Sequence, residues 1–151
     1  MAAVIQRRIR KMIDQGSFSS QVVLVPGGTT SAAQQFVDIV FVFDGATIGK
    51  QLDVRIDFNC IVTAWTLLLD AVATVRIDVW RDAFANYPPT VGDSMPGADA
   101  DKPQTTAAAS ASDEVATWDE DSIAAGDVLR ANIDTNGGAS RATLCLKARR
   151  I

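Results

Sequence analysis

The sequence predicts an all-β protein: an antiparallel β-sandwich or jelly roll with a short N-terminal basic helical arm. Three observations carry that reading. Short runs rich in Val, Ile and Phe recur along the chain, punctuated by Gly, Asp and Asn turn signals. Strands do not alternate with long helical segments, as they would in a parallel α/β sheet. A helical period is confined to residues 4–14, where Ile5, Ile9, Met12 and Ile13 fall at i, i+4, i+7 and i+8 on one face.

The elements follow in order. Gly16 is the expected stop of the arm helix, which at about eleven residues is marginal alone and needs a surface to pack on. Gln21 to Val25 is a short β-branched run closed by Pro26-Gly27-Gly28, and Phe36 to Phe43 is a second run ended by the turn Asp44-Gly45. From Leu52 to Phe58 the pattern alternates without a break, so Leu52, Val54, Ile56 and Phe58 share one face. Ile61 to Leu69 is denser in apolar residues, with Trp65, Leu67 and Leu69 expected on one face and Val62, Ala64 and Leu68 on the other. Val75 to Val79 alternates again. Between Asp82 and Asp113 there is no period of either kind, which predicts a long loop of the sort that is functional or partly disordered. Val115 to Trp118, Val128 to Ile133 and Ala142 to Ala148 complete the expected strands, with turns at Ala125-Gly126-Asp127 and Asn136-Gly137-Gly138. The chain thus divides into an arm and linker over residues 1–35 and a sandwich over residues 36–151.

Composition removes several chemistries. At 151 residues with 48% hydrophobic side chains, the chain is the size of one domain with a core of its own. It contains no histidine, which excludes a Ser-His-Asp triad, a Cys-His dyad and a histidine-ligated zinc. Two cysteines, Cys60 and Cys145, are too few for a thiolate metal site, and they read as buried free thiols, with a disulfide as the alternative. Charge is segregated. Arg7, Arg8, Arg10 and Lys11 put +4 on the first eleven residues and Lys147, Arg149 and Arg150 put +3 on the tail, leaving −11 on the rest of a chain whose formal charge is −4. A body that acidic would be repelled by DNA or an anionic membrane, so neither is an expected partner. The basic residues interrupt the one candidate signal-peptide core, and no apolar run is long enough to span a bilayer; the expectation is an intracellular product that leaves the cell within a larger particle.

Candidate sites are few. Asp99-Ala100-Asp101 and Asp119-Glu120-Asp121 supply carboxylates, but Lys102 and the missing turn glycine break calcium-loop spacing, so they read as solvated acidic loops. A carboxylate pair for glycoside hydrolysis requires a separation that sequence does not reveal. Trp65, Trp80 and Trp118 read as core or subunit-interface anchors, with a sugar-stacking platform as the alternative. Ile5, Arg7, Arg8, Ile9, Arg10, Lys11 and Met12 read as a partner-docking arm, favoured over a membrane-surface helix or a nucleic-acid contact.

The string from Val75 through Trp80-Arg81-Asp82 and Asn86-Tyr87-Pro88-Pro89 to Val91, followed by Lys102-Pro103, Trp118, residues 123–129 including Asp127, and residues 142–146, resembles a module of tailed-bacteriophage virion proteins, tail fibres among them. The similarity runs from about Phe36 to Lys147, and the Trp80, Asp82, Asn86 and Pro88-Pro89 string is its specific part. The resemblance implies a jelly-roll-like module, trimeric and exposed on the particle, with no catalytic residues and no cofactor. In the fibres the module follows a long stalk; here a basic helix and a linker from Ser17 to Gln35 precede it. That favours a non-enzymatic capsid decoration or cement protein, made in the host cytoplasm and docked through its arm onto the major capsid protein. The alternative is a tail fibre or receptor-binding module that recognises a host surface glycan.

Overall fold

The structure, a computed structural model, describes residues 21–26 and 35–151. Nine strands are laid out: β1 (Gln21–Pro26), β2 (Phe36–Asp44), β3 (Gln51–Arg55), β4 (Cys60–Ala73), β5 (Val75–Ala83), β6 (Ala108–Glu114), β7 (Ser122–Ile123), β8 (Asp127–Asn136) and β9 (Arg141–Arg150). The larger sheet runs β1-β2-β9-β4-β6, with β7 also on β4, and the smaller runs β3-β8-β5. All of their ladders are antiparallel, giving the β-sandwich or jelly-roll class. Because β1 pairs with β2 from Gln21↔Val42 to Pro26↔Val37, the sheet begins upstream of Phe36. The helical arm expected over residues 4–14, with its docking residues, lies outside the described residues.

Alternation builds the core. On β2, Val37, Ile39, Phe41 and Phe43 point inward; on β9, Ala142, Leu144, Leu146 and Ala148 do the same. The smaller sheet answers with Val75, Ile77 and Val79 from β5 and Leu129, Ala131 and Ile133 from β8. Each fully buried Val, Ile, Leu or Phe side chain contributes about 1.5 to 3 kcal/mol relative to exposure. Leu52, Val54, Ile56 and Phe58 face the core as the sequence predicts, although β3 stops at Arg55.

Three expectations need correction. The pairing of β4 with β9 shifts register between Val62 and Ala64, and this bulge puts Val62 on the same inner face as Trp65 and Leu67 instead of opposite them. Val115 to Trp118 is not a strand but a turn, with the Trp118 N–H donating to the Val115 carbonyl at 3.0 Å. The strand in this region is β6, whose Ala-Ala-Ser-Ala-Ser sequence has little β propensity and owes its conformation to pairing with β4 over Ala64 to Leu68.

The third correction concerns the aperiodic stretch after Asp82. Two 3-10 turns, Phe84–Asn86 and Val91–Asp93, open it, and the chain then runs back along the free edge of β5. Bridges join Trp80 to Ser94 and Arg76 to Gln104. The Met95 N–H donates to Val79 O at 2.8 Å, Ile77 N–H to Pro103 O at 2.9 Å and Thr105 N–H to Val75 O at 2.9 Å. An edge that would otherwise offer unpaired backbone groups to another chain is thereby closed.

Candidate functional site

Inward Val and Ile side chains leave the outer face of the smaller sheet to the alternate residues. Register aligns these in rows across β3, β8 and β5: Gln51 with Asn132 and Asp78, Asp53 with Arg130 and Trp80, Arg55 with Val128 and Asp82. Two polar clusters grow from these rows.

The first organises the loop that carries the Trp80 to Pro89 motif. Arg130 donates from Nε to Asp53 Oδ1 at 2.6 Å and from Nη2 to Asp53 Oδ2 at 2.7 Å, a bidentate fork. The Tyr87 hydroxyl donates to the same carboxylate at 2.8 Å, and Arg130 Nη1 reaches the Pro89 carbonyl at 3.3 Å. Asp82 Oδ1 accepts from the Ala83 N–H at 2.7 Å and from Asn86 Nδ2 at 3.0 Å. The Tyr87-Pro88 peptide bond is cis. Thr90 and Asp93 cap the second 3-10 turn reciprocally. The hydrogen bond from Arg130 holds the Asp53 carboxyl below its ordinary range, and the bond to Asp53 raises the Tyr87 phenol above its own. So fixed, the loop presents Phe84, Tyr87 and Val91 at 58%, 51% and 69% exposure. Arg55 lies 5.0 Å from the Phe84 ring centre and Arg130 5.6 Å from that of Tyr87.

The motif residues Trp80, Asp82, Asn86, Tyr87, Pro88 and Pro89 therefore share one neighbourhood. Asp127 pairs in register with Ala83; buried, it accepts from Arg81 Nη1 at 3.1 Å and from the Ala124 N–H at 2.9 Å. Trp118 belongs elsewhere, its indole N–H donating to the Asp101 carbonyl at 2.8 Å. All three tryptophans are buried, with 7 to 8% exposure. The sugar-stacking platform thus has no exposed indole, and the exposed rings of this face are Phe84 and Tyr87.

The second cluster escaped the sequence reading. Lys102 is buried, and its Nζ lies 2.9 Å from Asp78 Oδ2, 2.8 Å from Asp99 Oδ1 and 2.9 Å from Asp134 Oδ2. Arg76 adds contacts of 3.2 Å to Asp99 and 3.7 Å to Asp134. Burial alone would pull the Lys102 ammonium down, but the three carboxylates outweigh it and hold it above its ordinary range. Asp78 is fully buried; its Oδ1 accepts from the Val79 N–H at 2.8 Å and the Ser94 hydroxyl at 2.7 Å. Asp78 gave no signal in the sequence, since Val75 to Val79 alternates and sets Asp78 with Arg76 on the polar face. Its side-chain partners Ser94 and Lys102 are 16 and 24 positions away, and no local pattern announces them.

Of the acidic loops, Asp99 is exposed yet paired with Lys102 and Arg76, and Glu120 is held by Ser122 and Arg81. Among the described residues no cluster of three or more carboxylate or thiol groups is arranged to hold a metal ion. A recess of about 280 Å³ beside β6 is lined in part by Asp101, Asp113 and Glu114. Both cysteines are free. Cys60 is buried and Cys145 half-buried, and burial pushes both thiols up to about 11. Cys60 pairs with Arg150 while Cys145 pairs with Thr66, so they are separated by roughly 17 Å along the ladder, too far for a disulfide.

No family model matches the chain, and no curated protein matches it. Among solved structures, the Cnp3 cupin domain of Schizosaccharomyces pombe is similar with a TM-score of 0.29 and 7% identity, covering 89% of this chain and 64% of that one. The chain thus spans less than two thirds of that neighbour's length.

Proposed function

We propose that this chain is a non-enzymatic bacteriophage virion protein, a capsid decoration or cement protein that docks through its basic N-terminal segment and associates as a homotrimer. One observation carries the reading. The motif that resembles virion modules folds into a loop whose polar groups satisfy one another, while Phe84, Tyr87 and Val91 are left outward. Such a loop is preorganised, and exposed aromatic side chains on a fixed support suit adhesion to a protein surface. The segregated charge of the sequence, basic at the ends and −11 between, supports docking of the arm on an acidic partner. Labelling of this chain on purified particles tests the proposal. Many copies spread over the head support decoration, and its absence from the particle overturns the virion reading.

The exposed Phe84 and Tyr87 rings also favour the second reading, a tail fibre or receptor-binding module for a host glycan. That reading expects a few copies at the tail and glycan binding that is lost in Tyr87→Ala.

A further inference from the structure

We propose that Lys102 and Asp78 become joined by an intramolecular isopeptide bond, formed once by the chain's own side chains. The inference stands apart from the virion reading and rests on the buried cluster alone.

The parts of an acyl transfer are present. The amine nitrogen, Lys102 Nζ, is 2.9 Å from Asp78 Oδ2 without the alignment of a hydrogen bond, so that oxygen has no hydrogen-bond partner. The other oxygen, Oδ1, sits between two donors, the Val79 N–H at 2.8 Å and the Ser94 hydroxyl at 2.7 Å. Two donors on one carboxyl oxygen are what an oxyanion needs when a nucleophile adds to the carbon. Asp134 Oδ2 accepts a hydrogen bond from the same Nζ at 2.9 Å and is placed to take its proton. Three carboxylates, Asp78, Asp99 and Asp134, and the Arg76 guanidinium surround the amine, with Asp78 itself fully buried.

The step balances within the cluster. The Lys102 ammonium gives a proton to Asp134, and the neutral amine adds to Asp78 Cγ while Oδ1 carries the developing charge. Protons returned by Asp134 and by the nitrogen then let Oδ2 leave as water. The Nζ–Cγ bond forms and the Cγ–Oδ2 bond breaks. An ammonium and a carboxylate become an amide and one water, with no change of oxidation state. Holding both groups in place supplies the entropic part of the barrier. Because the carboxylates keep Lys102 charged, the neutral amine is scarce, and the bond matures slowly after folding. Its effect would be to fasten the segment that closes the β5 edge covalently to β5.

Mass spectrometry of the full chain, incubated for days at neutral pH and then denatured, tests this. The expected mass is that of the sequence less one water, and Lys102→Arg, folded by circular dichroism, keeps the full mass. Trypsin localises the bond, since residues 77–81 contain Asp78 and residues 82–130 contain Lys102, with Pro103 protecting the lysine from cleavage. Residues 77–81 should be recovered only as a branch on residues 82–130. A full mass in the native chain, free recovery of residues 77–81, or water loss in Lys102→Arg overturns the proposal.

Discussion

The Asp53 carboxylate is gripped by Arg130 through parallel bonds of 2.6 and 2.7 Å, and this fork ties β3 to β8 on the outer face of the smaller sheet. Tyr87 hangs its hydroxyl on the same carboxylate, so the loop after β5 takes its position from a pair of residues on two other strands.

Tyr87 is the single tyrosine of the chain, which makes this relationship directly readable. Spectrophotometric titration of the folded protein should place the phenol above its ordinary 10.0, and Asp53→Asn should return it toward that value. The stabilisation linked to Tyr87 is present below the unfolded phenol value and lost as pH rises through the higher folded one. For Asp53, held below 3.8 by Arg130, the stabilisation is present above the unfolded carboxyl value and lost as pH falls through the lower folded one. Asp53→Ala should cost about 1 kcal/mol at neutral pH in denaturant unfolding, and that difference should shrink in strong acid. A Tyr87 titration unchanged by Asp53→Asn would contradict the contact.

Met95 anchors the segment that closes the β5 edge, with its side chain in the core and its N–H on Val79. Met95→Ala should therefore destabilise the fold by about 2 to 5 kcal/mol. It should also raise amide exchange at Thr105, whose N–H bonds Val75 O on the same edge. Rapid Thr105 exchange in the unsubstituted protein would mean that the edge is open.

The two thiols give a third check. With both raised to about 11 by burial, only about one molecule in a thousand carries a given thiolate at pH 8, against roughly one in ten for an ordinary thiol. Labelling by a disulfide reagent at that pH should accelerate on the order of a hundredfold on unfolding, since the thiolate is the reacting form. In the native protein the half-buried Cys145 should react before Cys60. Equal rates in native and unfolded protein would contradict the burial of both.

Where strand residues alternate between core and solvent, the fold was legible. Leu52 to Phe58 places its apolar face inward as its spacing implies, and Phe36 to Phe43 and Ala142 to Ala148 form strands where the sequence expects them. Local pattern failed where tertiary pairing decides. Ala108 to Glu114 became a strand because β4 offered it a partner, and the β4 bulge reversed the phase on which the Val62 reading depended. The candidate site divides the same way. Trp80 to Pro89 is contiguous and could be seen as a unit, whereas Asp53, Arg130 and the Lys102 cluster come together only through sheet register and a returning loop.

The central claim is that this chain works by adhesion through its basic N-terminal segment. Deleting residues 1–16 and measuring cosedimentation with purified particles tests it most directly. The account predicts that the truncated protein keeps its β-sheet fold and its self-association but no longer pellets with particles; undiminished pelleting, or loss of the fold on deletion, would contradict it.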